Sequence, residues 1–126
     1  MKKHGIVPSN VPAPVGPYSP AIRVGDLVFL AGQGPFATDG SLVGATFAEQ
    51  TRQTFRNLAA VAEAAGGSLS DIVRMGAYLD DLANFEEFNQ IAREFLDEPF
   101  PARTTIQADL LGFEIEIDAI LHLASD

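Results

Sequence analysis

Two neighbouring stretches decide how this chain folds: PARTTIQ at residues 101–107 and FEIEIDAILHL at residues 113–123. In the second stretch every odd-numbered position is apolar, whereas charged or polar residues occupy most even-numbered positions. This period of two is typical of a strand with one buried face and one polar face. The first stretch alternates in the same way, so both are predicted to be strands.

The residues between these strands, DLLG at 109–112, are few and end in glycine, which predicts a hairpin. If the polar sides coincide, Thr105 pairs with Glu116 and Arg103 pairs with Asp118, because side chains alternate strictly across a sheet. Arg103 and Glu116 then become diagonal neighbours, roughly 7–8 Å apart at the backbone.

The rest of the chain adds three predicted strands and two predicted helices. The strands lie at 21–24, 27–32 and 72–79, and the helices begin at capping boxes, at Thr46 and at Asn84. Gly66-Gly67 ends the first helix, and Pro99 stops the second. The order of elements predicts an α+β fold, with two amphipathic helices on one face of a mixed sheet. The other face mixes charged and aliphatic residues, which favours burial against sister subunits in a closed oligomer.

Length and composition exclude several classes of function. The 126 residues, 47% of them hydrophobic, predict one domain over residues 1–126. We expect neither a membrane span nor a signal peptide, because no apolar run has the required length. The absence of cysteine excludes disulfides and thiolate catalysis, and it favours the cytoplasm. A net charge of −9 argues against nucleic acid and anionic membranes as partners.

Arg103 is the strongest candidate for a functional residue. Its planar guanidinium grips a carboxylate through two parallel hydrogen bonds, and it follows a Pro-Ala turn on a predicted strand. An internal ion pair with Glu116 or Asp118 explains an arginine here equally well. Glu116 could orient or deprotonate a water molecule, or it could simply belong to an acidic stripe.

Further candidates lie in the N-terminal third. A proline-rich segment holds Tyr18 in place, either at a site or merely packed on the domain. Gly32 allows a ligand to approach its backbone, or it simply ends a strand. Asn89 is expected at the rim of a groove, beside the apolar stripe of its helix. Metal binding is disfavoured, because His122 lies too far along its strand from the acidic residues.

Taken together, several motifs resemble the YjgF/RidA (Rid) family of reactive-intermediate deaminases. They are APVGPYSP at 13–20, the strand pair at 25–33, Asn57-Leu58 before Ala64-Ala65-Gly66, Phe88-Asn89, FPAR at 100–103 and IEIDAI at 115–120. The resemblance covers nearly the whole chain. It implies a chorismate-mutase-like α+β fold and a homotrimer with active sites in the clefts between subunits. It also implies hydrolysis of enamine and imine acids to 2-keto acids and ammonia, without metal or cofactor.

The resemblance also implies roles for individual residues. Arg103 resembles the arginine that holds the substrate carboxylate, and Glu116 resembles the glutamate that positions the attacking water. The backbone of Thr105 resembles the amide and carbonyl that help to hold substrate and water. Tyr18 and Asn89 resemble pocket residues, with Tyr18 of one chain closing the cleft of the next.

Two positions depart from the pattern of active family members, which often carry Ser or Thr at position 31 and Cys at position 105. This chain has Ala31 and Thr105 there. The change at 31 removes a side-chain hydrogen bond near the substrate, so it bears on substrate preference, while Arg103 and Glu116 are retained.

The sequence therefore predicts a deaminase acting on 2-iminopropanoate, 2-iminobutanoate and similar acids, with Arg103 and Glu116 as catalytic residues. Tyr18, Ala31, Gly32, Asn89 and Thr105 are predicted to bind substrate. The alternative is a non-catalytic trimer that binds small carboxylates or proteins in a regulatory role. Some members of the family are described as translation inhibitors or endoribonucleases, but the acidic surface argues against RNA here. The physiological substrate and pathway are not encoded in these motifs.

Overall fold

The structure, a computed structural model, describes residues 2–124 of the chain. In chain order its elements are β1 (His4–Ile6), β2 (Ala21–Val24), β3 (Leu27–Gln33), α1 (Phe47–Ala64), β4 (Ile72–Leu79), α2 (Phe85–Phe95), β5 (Ala102–Gln107) and β6 (Ile115–His122). Short 3-10 turns at Leu69–Asp71 and Leu82–Asn84 precede β4 and α2. The strands of this part of the chain form one sheet in the order β1-β2-β3-β6-β4-β5. Over residues 2–124, β4 and β5 are the one parallel pair and the other pairs are antiparallel, so the sheet is mixed, as predicted.

The core lies between the two helices and one face of this sheet. On β6, Ile115 and Ile117 are fully buried, as the alternation of the sequence predicts. Phe55 of α1 stacks on Phe88 and Phe95 of α2, with ring centroids 6.1 and 4.9 Å apart, and this stacking joins the helices. The predicted α+β architecture with both helices on one face is therefore confirmed.

The helix boundaries follow local chemistry, with corrections at both predicted capping boxes. At the start of α1, the Thr46 hydroxyl accepts a hydrogen bond from the Glu49 N–H at 3.2 Å. The Glu49 carboxylate accepts from the Thr46 hydroxyl at 3.1 Å instead of from the Thr46 N–H, so only the threonine half of that box forms. After its end, Gly66 adopts a φ of +91°, which favours glycine. The capping box predicted at Asn84 was wrong, because Asn84 makes no side-chain capping bond. Asp81 instead caps the preceding 3-10 turn, with its carboxylate accepting from the Ala83 N–H at 2.9 Å.

The predicted pairing of the last two strands was also wrong. Among the described strands, β5 lies at the edge of the sheet and pairs with β4 alone, and β6 lies on the other side of β4. The loop after β5 crosses over the end of β4. There the Leu79 carbonyl accepts from the Ala108 N–H at 3.0 Å, and the Asp80 N–H donates to the Glu114 carbonyl at 3.1 Å. A short loop with a glycine is compatible with either arrangement, so the sequence could not reveal the intervening strand.

This topology separates residues that the hairpin would have brought together. Arg103 pairs with Met75 on β4, whose side chain is buried beneath the helices. Glu116 pairs with Tyr78, one of the residues of β4 that face away from the helices. Paired residues of neighbouring strands share a face. Arg103 and Glu116 of one chain therefore lie on opposite faces of the sheet.

Candidate functional site

Arg103 projects from the edge strand β5 towards α2 and is half-buried. Its Nη2 donates a hydrogen bond to Oδ1 of Asn89 at 2.7 Å. Its guanidinium carbon lies 5.0 Å from the ring centroid of Phe88 and 5.6 Å from that of Phe85. Both distances are within the range of cation–π attraction. The amide and the two rings thus fix the direction of the guanidinium.

Arg103 forms no internal ion pair within residues 2–124; the salt bridge of this region joins Arg52 and Glu94 on the surface. The alternative reading of Arg103 as a partner of Glu116 or Asp118 therefore does not hold. Burial lowers the pKa of Arg103, and the nearby Arg93 lowers it further. Arginine nevertheless remains charged at any working pH.

A cavity of about 320 Å³ opens beside this guanidinium. Its walls combine polar and apolar groups. The polar side chains are Arg103, Arg93 and Asn89, and the apolar lining residues are Met75, Ala92, Leu96, Phe100 and Pro101. A cavity that joins apolar walls to the fixed guanidinium of Arg103, with Arg93 as a second positive charge, suits a small organic carboxylate. Asn89 lies at the rim of this cavity, as the sequence predicts. We call Arg103, Asn89 and this cavity the arginine half.

Glu116 lies on the other face of the sheet, and Gly32 of β3 packs directly against it. A Cβ placed on Gly32 would lie 2.8 Å from Cδ of Glu116 and 2.9 Å from its Oε2. Real side chains do not approach so closely, so only glycine lets the carboxylate occupy this position. Gly32 is therefore more than the end of a strand.

Tyr18 and Glu116 line one cavity of about 540 Å³, together with Gly32 and apolar residues such as Phe36 and Phe113. The Tyr18 side chain is 50% exposed. Its Oη accepts a hydrogen bond from the Val15 N–H at 3.3 Å. We call Tyr18, Gly32, Glu116 and this cavity the glutamate half.

Burial raises the pKa of Glu116, and the negative charge of Asp118 raises it further. A carboxylate with a raised pKa is a stronger base than an exposed glutamate, and it also holds a proton more readily. Glu116 is therefore suited to exchange protons with a water molecule or a substrate in the adjoining cavity.

The structure places the two remaining predicted residues less centrally. Thr105 lies two residues beyond Arg103 on the same face of β5, paired with Ala77, but it does not line the cavity of the arginine half. Ala31 precedes Gly32 and donates its N–H to the Pro20 carbonyl at 2.9 Å. This hydrogen bond attaches the proline-rich segment to β3. Ala31 does not line the cavity of the glutamate half.

Sequence reasoning missed the aromatic support of Arg103. Phe85 and Phe88 recur at helical spacing, which predicts only that they belong to the apolar stripe of α2. Phe88 is indeed buried, yet its ring also lies below the guanidinium. The only signal in the sequence was the adjacency of Phe88 and Asn89.

Groups of three or more histidine or acidic residues arranged to hold a metal ion are absent from residues 2–124. Neither helix of that region is long and apolar enough to cross a membrane. The predicted independence from metals and cofactors remains a prediction.

Comparison with known proteins identifies the relatives of the chain. The sequence model of the Endoribonuclease L-PSP family matches residues 8–123. A RutC family protein of Pyrococcus horikoshii is 39% identical over 123 residues, covering 95% of this chain and 98% of that protein. This chain belongs to the YjgF/RidA family. Within the family, the 2-iminobutanoate/2-iminopropanoate deaminase of Dermatophagoides farinae is 35% identical over 113 residues, covering 87% of this chain and 88% of the relative.

A solved structure of the YjgF/RidA family confirms the fold. RidA from an Antarctic Psychrobacter superimposes with a TM-score of 0.90 at 38% identity, covering 95% of this chain and 99% of that protein. The recognition based on sequence motifs is thus confirmed. Names among the relatives connect the family to small imino acids and to reactive-intermediate deamination.

Proposed function

We propose that this YjgF/RidA chain hydrolyses 2-imino and 2-enamino acids, such as 2-iminopropanoate and 2-iminobutanoate, to 2-keto acids and ammonia. One observation carries the proposal. The guanidinium of Arg103 is oriented by Asn89 and two aromatic rings, beside a cavity, with no carboxylate partner among residues 2–124. The name of the Dermatophagoides relative supplies the substrate class.

The active site is completed between copies of the chain. The arginine half and the glutamate half lie on opposite faces of one sheet, so one substrate cannot touch both within one chain. A head-to-tail contact that places the arginine half of one copy against the glutamate half of the next joins them, and it closes as a ring. We propose a homotrimer, in agreement with the resemblance to the family. The partly apolar open face, with Phe29 and Ile106 exposed, provides contact area.

The chemistry requires little assistance, because an imine carbon is already electrophilic. Arg103 binds the substrate carboxylate and thereby fixes C2 relative to Glu116 of the neighbouring copy. Glu116 accepts a proton from water as the water oxygen adds to C2, and then returns this proton to nitrogen. In the resulting carbinolamine, Glu116 takes up the remaining hydroxyl proton and passes it to nitrogen, so that the C–N bond breaks, ammonia leaves and the C=O bond forms. One imine and one water thus yield one keto acid and one ammonia. An enamine first takes up a proton at C3 and gives up a proton from nitrogen, which converts it into the imine.

The remaining residues orient and enclose the substrate. Asn89 positions Arg103, and Gly32 leaves room for the Glu116 carboxylate. Tyr18 closes the glutamate half. Thr105 lies outside the cavity of a single chain, and we place its backbone beside the substrate only in the assembled site. Ala31, also outside the cavity of a single chain, carries no hydroxyl, so it offers no polar side-chain contact to a substrate in the assembled site. We place the reaction in the cytoplasm, in a chain acting as one domain, because a protein without cysteine suits a reducing compartment.

Mixing two inactive variants tests both the reaction and the shared site. Loss of two charge-assisted hydrogen bonds predicts that Arg103→Ala lowers kcat/KM by about 100-fold. Glu116→Gln removes the proton acceptor and is expected to lower it at least as far. Equal amounts of the two variants, refolded together, regain about one quarter of wild-type activity, because a quarter of the junctions pair an intact Arg103 with an intact Glu116. Keto-acid release from enzymatically generated 2-iminopropanoate is the readout.

The controls separate the possible failures. Arg56→Ala removes an exposed arginine of α1 and should leave the rate unchanged. Light scattering should show assemblies of about 40 kDa for every variant, three copies of a 13.4 kDa chain. Mixed variants without recovered activity would contradict the shared site. Wild-type protein that binds pyruvate without hydrolysing any imine would support the regulatory alternative.

A further inference from the structure

Asp118 is held in an unusual position on the open face of the sheet, two residues from Glu116 on β6. Its Oδ1 accepts a hydrogen bond from the Gly76 N–H at 3.0 Å. Its Oδ2 accepts a hydrogen bond from the Tyr78 hydroxyl at 2.8 Å. Gly76 and Tyr78 both belong to β4, so the neighbouring strand holds both oxygens of this carboxylate.

Gly76 makes this arrangement possible. A Cβ at that position would lie 2.6 Å from Oδ1 of Asp118 and 2.8 Å from the hydroxyl of Tyr78. Any other residue at 76 would therefore displace the carboxylate. Donation to Asp118 is the main cause of a raised pKa for Tyr78, with burial contributing as well, so the tyrosine keeps the proton that it donates.

This fixed carboxylate lies beside the proposed water-activating group. Glu116 pairs directly with Tyr78 across β4 and β6, and alternate residues of a strand lie about 7 Å apart on one face. We propose that Asp118 is a positioning residue: clamped by Gly76 and Tyr78, its negative charge sets the pH at which Glu116 changes protonation state during deamination. This inference rests on the proposed function.

No other described group near Glu116 combines a negative charge with a position fixed by hydrogen bonds from the neighbouring strand. The titratable and charged groups around Glu116 are Asp118 on β6, Tyr78 and Arg74 on β4, and Tyr18 and Asp39 around the cavity. The adjoining residues of β3 are Gly32 and Gln33, and Glu114 lies just before β6. Arg74 donates to the Thr104 hydroxyl at 2.8 Å. Within residues 2–124 the Glu114 side chain forms no hydrogen bond, and it precedes the first residue of β6.

The test compares the loss of a negative charge on either side of Glu116. Asp118→Asn keeps the shape of the side chain, and its amide oxygen still accepts from Gly76. We expect the acidic limb of the kcat/KM profile to move down by about 0.5–1 pH unit, since removing a like charge lowers the pKa of Glu116. Glu114→Gln removes one charge at the same sequence separation and should leave the limb in place. Each variant is measured relative to wild type at the same pH, which cancels the titration of the imine itself.

A second readout does not depend on turnover. The side-chain carboxyl ¹³C signal of Glu116, followed by NMR during a pH titration, should shift its midpoint in Asp118→Asn and not in Glu114→Gln. Equal shifts in both variants, or no shift in Asp118→Asn, would overturn the inference while leaving deamination intact. If wild type releases no keto acid at any pH, the proposed function fails, whereas the NMR titration still reports on the coupling of the two carboxylates.

Discussion

The two halves of the site differ in how the fold holds the charged group. In the arginine half, side chains position the guanidinium: the amide of Asn89 and the rings of Phe85 and Phe88. In the glutamate half, the backbone creates the position, because Gly32 lets the carboxylate of Glu116 approach β3 closely. Support by several side chains can be weakened in steps. In the glutamate half, by contrast, a single Cβ atom at position 32 would force the Glu116 carboxylate out of its position.

The electrostatic consequences of burial also differ between the halves. Burial is the main cause of the lowered pKa of Arg103 and of the raised pKa of Glu116. For the arginine this change leaves the charge intact, because its pKa starts far above neutrality. For the glutamate it brings protonation closer to working pH. The arginine half is therefore suited to bind an anion at any working pH, and the glutamate half is suited to exchange a proton.

Gly32→Ala should produce the largest effect of a single methyl group, because the new Cβ would lie 2.8 Å from Cδ of Glu116. The carboxylate must move, and displacement of a catalytic group by about 1 Å costs on the order of 100-fold in rate. We expect this loss in kcat with KM nearly unchanged, measured by keto-acid release. Gly5→Ala is the matched control, since its Cβ would meet only Ser19 Oγ at an ordinary 3.7 Å. A fully active Gly32→Ala variant would show that Glu116 can work with a Cβ at position 32, which would contradict the proposed need for glycine there.

Asn89→Ala should have a smaller effect, confined to the arginine half. It removes the 2.7 Å hydrogen bond to Arg103, while both aromatic rings remain. A hydrogen bond to a charged group contributes about 1.5 kcal/mol, which predicts a loss of about tenfold in kcat/KM. Gln90→Ala, at the exposed neighbouring position of α2, should leave the rate unchanged. If Asn89→Ala lowers the melting temperature but leaves kcat/KM unchanged, Asn89 stabilises the fold and does not orient Arg103.

The difference between the halves also explains what the sequence could predict. The alternation around Ile117 and the cap at Thr46 are local signals, and both predict structure correctly. The strand that pairs with β5 is determined by the packing of β4 and β6, which are distant in the sequence. The seven-residue loop after Gln107 is compatible with either pairing, so the loop sequence does not indicate the correct one. The sequence therefore predicted Arg103 and Glu116 as a pair but placed them on the same face. The contact of Phe85 and Phe88 with Arg103 could not be predicted, because the two residues have the helical spacing of ordinary core residues.

Phe85→Leu should show the smallest effect and measure the aromatic part of the arginine half alone. Leucine keeps an apolar side chain at a position that is 37% exposed, but it removes the π face 5.6 Å from the guanidinium. A cation–π contact at a partly exposed site contributes about 0.5–1 kcal/mol, so we expect KM to rise about two- to fivefold at constant kcat. Phe100→Leu is the control, because Phe100 lines the same cavity and is exposed at its mouth. Equal KM changes in both variants would assign the effect to the walls of the cavity. A change in Phe85→Leu alone would show that the ring orients the cation, so that the arginine half is held by graded side-chain contacts.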